Sequence, residues 1–447
     1  MDRRMGAVFG DDSGREKGEY SMELTLVRHP VSEIRFGDAT RLDGTSLEVN
    51  ADELRALLLA DESLQSVDLE ILRPGENARA GPVFDIIEPR AKEPGGSPDF
   101  PGILNPPATA GMGTAHVLEG AAVTVLNELS ASARGDRSDR LLEMSGPAAE
   151  WSPYASLAHL IAVPHARPEL AVHARLRAAR RAGMAAAVYL ARAAFGESPA
   201  ATETFEAVGP AAGGREGLPR VAYIGQIYSR QRSPEVDEQI IYGVNTSGMM
   251  PLLLHPDEWL DGAIVPSYVL SLGGAETYFY QNHPVITGLY RRHRAGEIHF
   301  VGTVATIAAS DNEDRDRNCQ AAANLVKWGL NADAAVLTKY GGGVPHADLG
   351  MTANLLEEAG IRTAVMVSDM SADRRVESAL LFNFPDVDAI VYCGGVDTRW
   401  TLPKAERVIA GSPEMSGALA ASQVVQASNV IGVTNQQGAT HLQSVVY

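Results

Sequence analysis

From Met22 the chain alternates apolar and polar positions with a period of two. Glu23-Leu24-Thr25-Leu26-Val27 and Glu33-Ile34-Arg35-Phe36 are predicted to form short half-buried strands. Asp43-Gly44, set between Thr40 and Leu47-Glu48-Val49, reads as a hairpin turn in which glycine supplies the positive φ. Asn50 is placed to cap a helix running through Leu59, with Asp52 and Glu53 at its electropositive end. Val67 to Leu72, one or two segments within Thr114 to Asn127, and Leu160 to Val163 continue the strand pattern. Glu169 to about Ala194 is a helical run of Ala and Arg, whose arginine stems are expected to cover the flank while their charge stays in water. The stretch 74 to 107 is crowded with Pro and Gly and reads as a long irregular surface segment. Residues 1 to 21 carry no apolar period and are expected to be a flexible extension.

Beyond residue 218 the rhythm changes. Short apolar runs at Arg220–Ile224, His299–Val304, Ala334–Leu337, Thr363–Val367 and Asp388–Tyr392 alternate with helical patterns near 313–329, 348–359 and 372–383. Strands buried on both faces and separated by helices indicate a parallel sheet. The expected fold class is therefore α/β: an N-terminal mixed α+β domain over 22–200, then a Rossmann-like parallel-sheet α/β region over 218–447.

Charge narrows the choice of partner. Across 447 residues, 56 Asp and Glu outweigh 38 Lys and Arg for a formal net charge of -18, which disfavours a polyphosphate backbone and makes nucleic acid a poor first candidate, so none is expected as a partner. The apolar runs stop well short of the roughly 20 residues that span a bilayer. Two isolated cysteines, Cys319 and Cys393, give neither a disulfide framework nor a cysteine zinc site, and a reducing cytoplasm is the expected compartment.

In parallel α/β sheets, ligands collect at the strand C-termini, so the loops there are the candidate binding elements. Lys339-Tyr340-Gly341-Gly342-Gly343 follows a strand and precedes a helix; its glycines permit close backbone approach and Lys339 can neutralise an anion, although a turn without ligand fits equally. It matches neither a Walker A loop nor a dinucleotide fingerprint, which leaves an independent dehydrogenase a weak reading. Cys393-Gly394-Gly395 and Ser368-Asp369 are two further loops of this kind, with Asp369 either a binding residue or a helix cap. His346 and Asp348 lie two apart but lack a third metal ligand in view, and no metal is expected. Asn282-His283-Pro284-Val285-Ile286 and Arg292-His293 offer imidazoles that serve either as acid or base or as caps.

A set of ordered blocks resembles a known family. Arg73-Pro74-Gly75-Glu76, Asp85-Ile86-Ile87-Glu88-Pro89-Arg90, Phe100-Pro101-Gly102, Met144-Ser145-Gly146-Pro147, Asp261-Gly262-Ala263-Ile264-Val265 and Asn282 to Ile286 are similar to the glycine/sarcosine/betaine/D-proline reductase component B proproteins, over about 22–410. The resemblance implies a proprotein cleaved before a cysteine shortly after the Asp-Gly-Ala-Ile-Val block. That cysteine becomes a pyruvoyl group, whose ketone forms a Schiff base with an amino substrate. The family's Asn-Cys pair falls here on Tyr268-Val269, and valine has no β-leaving group to eliminate; Ser267 and Ser271, each two positions from that site, are the displaced alternatives for such maturation. The expectation is a divergent member without pyruvoyl or another cofactor. In it Ser267, Tyr268, Glu276, His283 and His293 form the candidate catalytic set, and Lys339, Gly341, Gly342, Asp369, Gly394 and Gly395 bind substrate. A partner subunit of a hetero-oligomer would then supply a thiol or selenol. The alternative is a non-catalytic assembly or ligand-binding subunit of the same descent.

Overall fold

A computed structural model describes residues 22–134, 139–205, 208–212, 216–227, 238–267, 276–308, 312–341, 343–369, 386–395, 399–435, 437 and 445–446. It is a mixed α/β fold built on several sheets.

The first half follows the alternation closely. Leu24–Pro30 lies in parallel register with Gly113–Glu119, and Arg41–Asp43 turns back on Ser46–Val49 through Gly44 at φ 60°. Asn50 caps Ala51–Leu58 by accepting from the Asp52 and Glu53 amides. A four-stranded sheet runs Leu64–Leu72, Ala158–Ala166, Ala121–Leu126, Val83–Ile87, and the helix Val172–Ala191 covers one of its faces. Along that helix alanine lets the backbone come close: a β-carbon on Gly183 would meet Val125 Cγ2 at 2.3 Å.

The stretch 74–107 departs from its expectation. It contains three strands, Ala78–Gly81, Val83–Ile87 and Arg90–Lys92, nearly all of whose residues are buried. Sequence pattern hides them because Arg79, Asp85, Arg90 and Lys92 are polar residues placed inside, each with a specific partner. A charge is tolerated there only because it is paired. Ala78–Gly81 also receives a distant strand, Arg407–Ala410, in parallel register.

The largest sheet has seven strands in the order Leu252–Leu254, His299–Thr306, Arg220–Gln226, Ala334–Thr338, Arg362–Asp369, Ala389–Gly395, Val445–Val446. The five central strands are parallel and both edge pairings are antiparallel. Numbered along the chain, the parallel strands stand in the order 2-1-3-4-5. The chain therefore leaves the first and third in opposite directions, and a crevice opens beyond their C-terminal ends. Helices Asn312–Asn324, continued by the wider turn Leu325–Gly329, and Val344–Glu358 pack on one face of this sheet through Ala322, Val326, Leu349, Ala353 and Leu356. The other face shares a core with the N-terminal strands, in which Leu24, Leu26 and Val117 meet Tyr223, Trp259, Phe279 and Phe300. The expected helix at 372–383 lies outside the described residues.

Candidate functional site

The block Asp261 to Val265 is held from several directions. Asp261 Oδ2 receives Lys92 Nζ at 2.8 Å, Ser97 Oγ at 2.9 Å and the Gly111 amide at 2.7 Å. Gly262 turns at φ 84° where a β-carbon would strike the Phe100 ring at 2.9 Å, so no other residue fits without displacement. The Tyr242 amide donates to Ala263 O and the Val265 amide to Ile240 O, which lays the block against Gln239–Ile241.

The segment that follows is anchored at both ends. At its start, Arg180 donates to Gln239 O at 2.8 Å and to Pro266 O, while Ser267 Oγ donates to the buried Glu238 at 2.9 Å. Tyr268 lies outside the described residues. At its far end Glu276 accepts from Tyr154 Oη at 2.9 Å, and Thr277 gives both its amide and its hydroxyl to Asp85, at 2.9 and 2.6 Å. Gln281 pairs with the backbone of Glu88 through both ends of its amide. Arg90, salt-bridged to Glu88 at 2.5 Å, donates to Leu260 O at 3.0 Å and Gln281 O at 2.9 Å. One N-terminal segment, residues 85–92, thus clamps both sides of 261–282 with buried charge-assisted bonds, which are the strong kind.

Burial sets the protonation of this frame. It pushes the Asp85 carboxyl up to about 6, partly offset by the two Thr277 bonds and by Arg180. It pushes Asp257 up to about 8, so that this carboxyl holds a proton at neutral pH where Tyr290 donates to it and His255 Nδ1 lies 3.6 Å away. Burial lowers His255 to about 4, which leaves it neutral. Because the folded carboxyl of Asp257 binds its proton more tightly than the unfolded one, its contribution to stability is greatest at low pH and is lost as pH rises from about 4 to about 8. Asp257→Asn mimics the protonated form. Denaturation followed against pH is expected to show the variant gaining on wild type by up to about 1.4 kcal/mol per pH unit over that window; parallel curves would refute the assignment.

His283 stands at the head of the helix Pro284–Arg294, fully buried among Tyr223, Trp259, Phe279 and Tyr280. Its Nδ1 accepts from the Ile286 amide at 3.5 Å, so Nε2 carries the hydrogen and donates to Tyr223 Oη at 3.0 Å, which in turn donates to Thr338 Oγ1 at 2.7 Å. Burial lowers His283 to about 3, which keeps it neutral. His293 accepts from the Phe300 amide at 3.1 Å and ties its helix to the sheet.

Thr338 leads into the glycine loop. Lys339 is fully buried there, donates to Gly341 O at 2.8 Å, and is lowered by burial to about 8, with Cys393 opposing the shift. Gly341 turns at φ 100°, and Gly342 lies outside the described residues. Asp369 and Gly395 end neighbouring strands in register, with Gly394 just before. Burial raises the Cys393 thiol to about 11, which keeps it protonated. Asp348 is committed to Arg315 at 2.7 Å, and among the described residues no group of three or more His, Cys, Asp and Glu is arranged to hold a metal ion.

The expected residues thus fall into two linked groups. Ser267 and Glu276 belong to the clamped frame, whereas Lys339, Gly341, Asp369, Gly394 and Gly395 lie at the C-terminal edge of the large sheet. His283, Tyr223 and Thr338 connect the two. Sequence reading passed over Asp85, Glu88, Arg90 and Arg180 as site residues. The signal for the first three was the charged block Asp85 to Arg90 itself; Arg180 gave none, since it sits among arginines that face water.

A family model described as glycine/sarcosine/betaine reductase component B subunits matches residues 22–443. The chain belongs to this family. It is 31% identical over 391 residues, covering 87% of the chain and 89% of the relative, to the glycine reductase complex component B subunits alpha and beta of Acetoanaerobium sticklandii. To the sarcosine reductase complex component B subunit alpha of Peptoclostridium acidaminophilum it is 29% identical over the same shares, and to the betaine reductase complex component B subunit alpha of that organism 28% identical over 90% of the chain and 92% of the relative. No solved structure matches it. Like the rest of the component B family in name, the chain is a reductase-component-type subunit, and none of its described helices is long and apolar enough to cross a membrane.

Proposed function

We propose that this chain is the substrate-handling subunit of a component B-type reductase assembly that works without a pyruvoyl group. The observation that carries the reading is positional. Beyond the family's Asp-Gly-Ala-Ile-Val block, the resemblance puts Val269, whose side chain has nothing to eliminate, at the place of the pyruvoyl-forming cysteine, while buried charged and polar contacts hold the chain on either side of the segment. Ser267, the nearest serine before it, is engaged with Glu238.

In this reading the segment 266–280 and the glycine loop bind a small nitrogen- or sulfur-containing molecule. Glu276 and Ser267, with Tyr268, orient it, and the His283–Tyr223–Thr338 relay moves a proton between the frame and the loop. Lys339, lowered toward neutrality, balances negative charge on the ligand beside Gly341, Gly342, Asp369, Gly394 and Gly395. The parallel part of the large sheet acts as a Rossmann-like platform, with the domain boundary between residues 200 and 218. The thiol or selenol for reductive cleavage comes from a partner subunit in a cytoplasmic hetero-oligomer, because both thiols of this chain are buried and held protonated.

Calorimetric titration with glycine, sarcosine and betaine checks the reading. Binding of one of them is expected, with an affinity at least about tenfold weaker in Lys339→Met, a loss of about 1.4 kcal/mol. No binding by the isolated chain or by its complex with a thiol-bearing partner would favour a purely assembly role.

A further inference from the structure

The crevice beyond the first and third parallel strands holds a cavity that the proposed function touches only at Thr338. It has room for a single water-sized occupant, about 20 Å³, and is lined by the ends of three adjacent strands and by two helices. Gln226, Thr306 and Thr338 come from the strands; Asn318 comes from Asn312–Asn324, and Asp348 and Thr352 from Val344–Glu358.

Two of these side chains are unsatisfied. Gln226 is 5% exposed and Asn318 6% exposed, yet neither Gln226 Oε1 nor Asn318 Oδ1 has a hydrogen-bond partner among the described residues. A buried carbonyl oxygen left so costs on the order of 1–3 kcal/mol, and two on residues lining one cavity suit an occupant that donates hydrogen bonds or carries positive charge. The other polar side chains around it are the hydroxyls of Thr306, Thr338 and Thr352, the Cys319 thiol and one carboxylate, and no lysine or arginine lines the cavity. Oxygen donors of this kind suit hard cations. The single carboxylate, Asp348, is already paired with Arg315 at 2.7 Å, too little negative charge for a divalent ion, which draws on several carboxylates.

We infer that this cavity is a binding site for a monovalent cation of ammonium or potassium size, held by Gln226 Oε1 and Asn318 Oδ1 with hydroxyl oxygens completing the shell. Bound there, the ion ties the first and third strands to both covering helices, directly behind the loop that carries Lys339. The inference does not rest on the reading of the 266–280 segment.

The test compares thermal unfolding of the full chain in choline, potassium and ammonium chloride at equal ionic strength. Potassium or ammonium is expected to raise the midpoint by roughly 1–3 °C over choline at concentrations near ten times the dissociation constant, and the larger shift identifies which ion is preferred. Asn318→Leu is expected to abolish the difference between salts. Crystals soaked in thallium(I) are expected to show an anomalous peak within contact of Gln226 Oε1 and Asn318 Oδ1, a readout that survives if the variant fails to fold. Equal midpoints in all three salts, a salt effect unchanged in Asn318→Leu, or a cavity without thallium would overturn the inference.

Discussion

Arg180→Ala is expected to destabilise the protein by about 3–5 kcal/mol, the range found when one partner is removed from a buried charge network. Although Arg180 sits on a helix otherwise rich in alanine, it is only 1% exposed and its guanidinium reaches across to Gln239 O and Pro266 O. It also supplies positive charge that holds down the Asp85 carboxyl. The substitution therefore leaves two part-buried carbonyls without this donor and Asp85 less balanced. Hydrogen exchange distinguishes this from a general loss of packing: residues 239–241 and 264–267 are expected to lose protection well before the sheet formed by 64–72 and 158–166. Uniform loss of protection over both regions would contradict an anchoring role.

Arg79→Ala carries a loss of similar size for a different reason. Arg79 is fully buried, meets both oxygens of Glu143 at 2.5 and 2.9 Å, and donates to Leu419 O, Ala421 O and Pro403 O at 2.5 to 3.1 Å. It thereby fastens the segment from 403 to 421 onto the N-terminal strand Ala78–Gly81. Truncation leaves Glu143 buried without its counter-charge and three carbonyls without a donor, a cost of about 3–5 kcal/mol. Pairing Arg79→Met with Glu143→Leu removes both charges, so the double variant is expected to recover a large part of that loss. A coupling energy near zero in the double-mutant cycle would show that the pair is not the source of the effect.

Much of the fold was legible because it follows the apolar period. Strands 24–30, 33–36 and 46–49, the Asn50 cap and the parallel strands after 218 all expose their pattern in sequence. The buried polar elements were not legible. Ala78-Arg79-Ala80-Gly81 and Val83-Phe84-Asp85 look like surface chain until Glu143 and Thr277, 64 and 192 residues away, arrive to satisfy them. Arg180 misled for the same reason: an arginine in an Ala-Arg helix faces water unless a distant carbonyl waits for it. At the site, the loops were placed by the rule that ligands gather at strand C-termini, and Lys339, Asp369, Gly394 and Gly395 do lie there. The link from His283 through Tyr223 to Thr338 was invisible, because it joins three elements separated by 60 and 115 residues.

The central claim is the proposal that the segment between Val265 and Glu276 carries no pyruvoyl-forming residue. Intact mass spectrometry of the native protein, with peptide mapping across 261–280 and treatment with a carbonyl-reactive hydrazide, tests it most directly. The account predicts a chain uncleaved in this segment, with Ser267 and Ser271 unmodified and no hydrazide adduct. Two fragments divided within the segment, the second lacking a free amine and taking up the hydrazide, would contradict it.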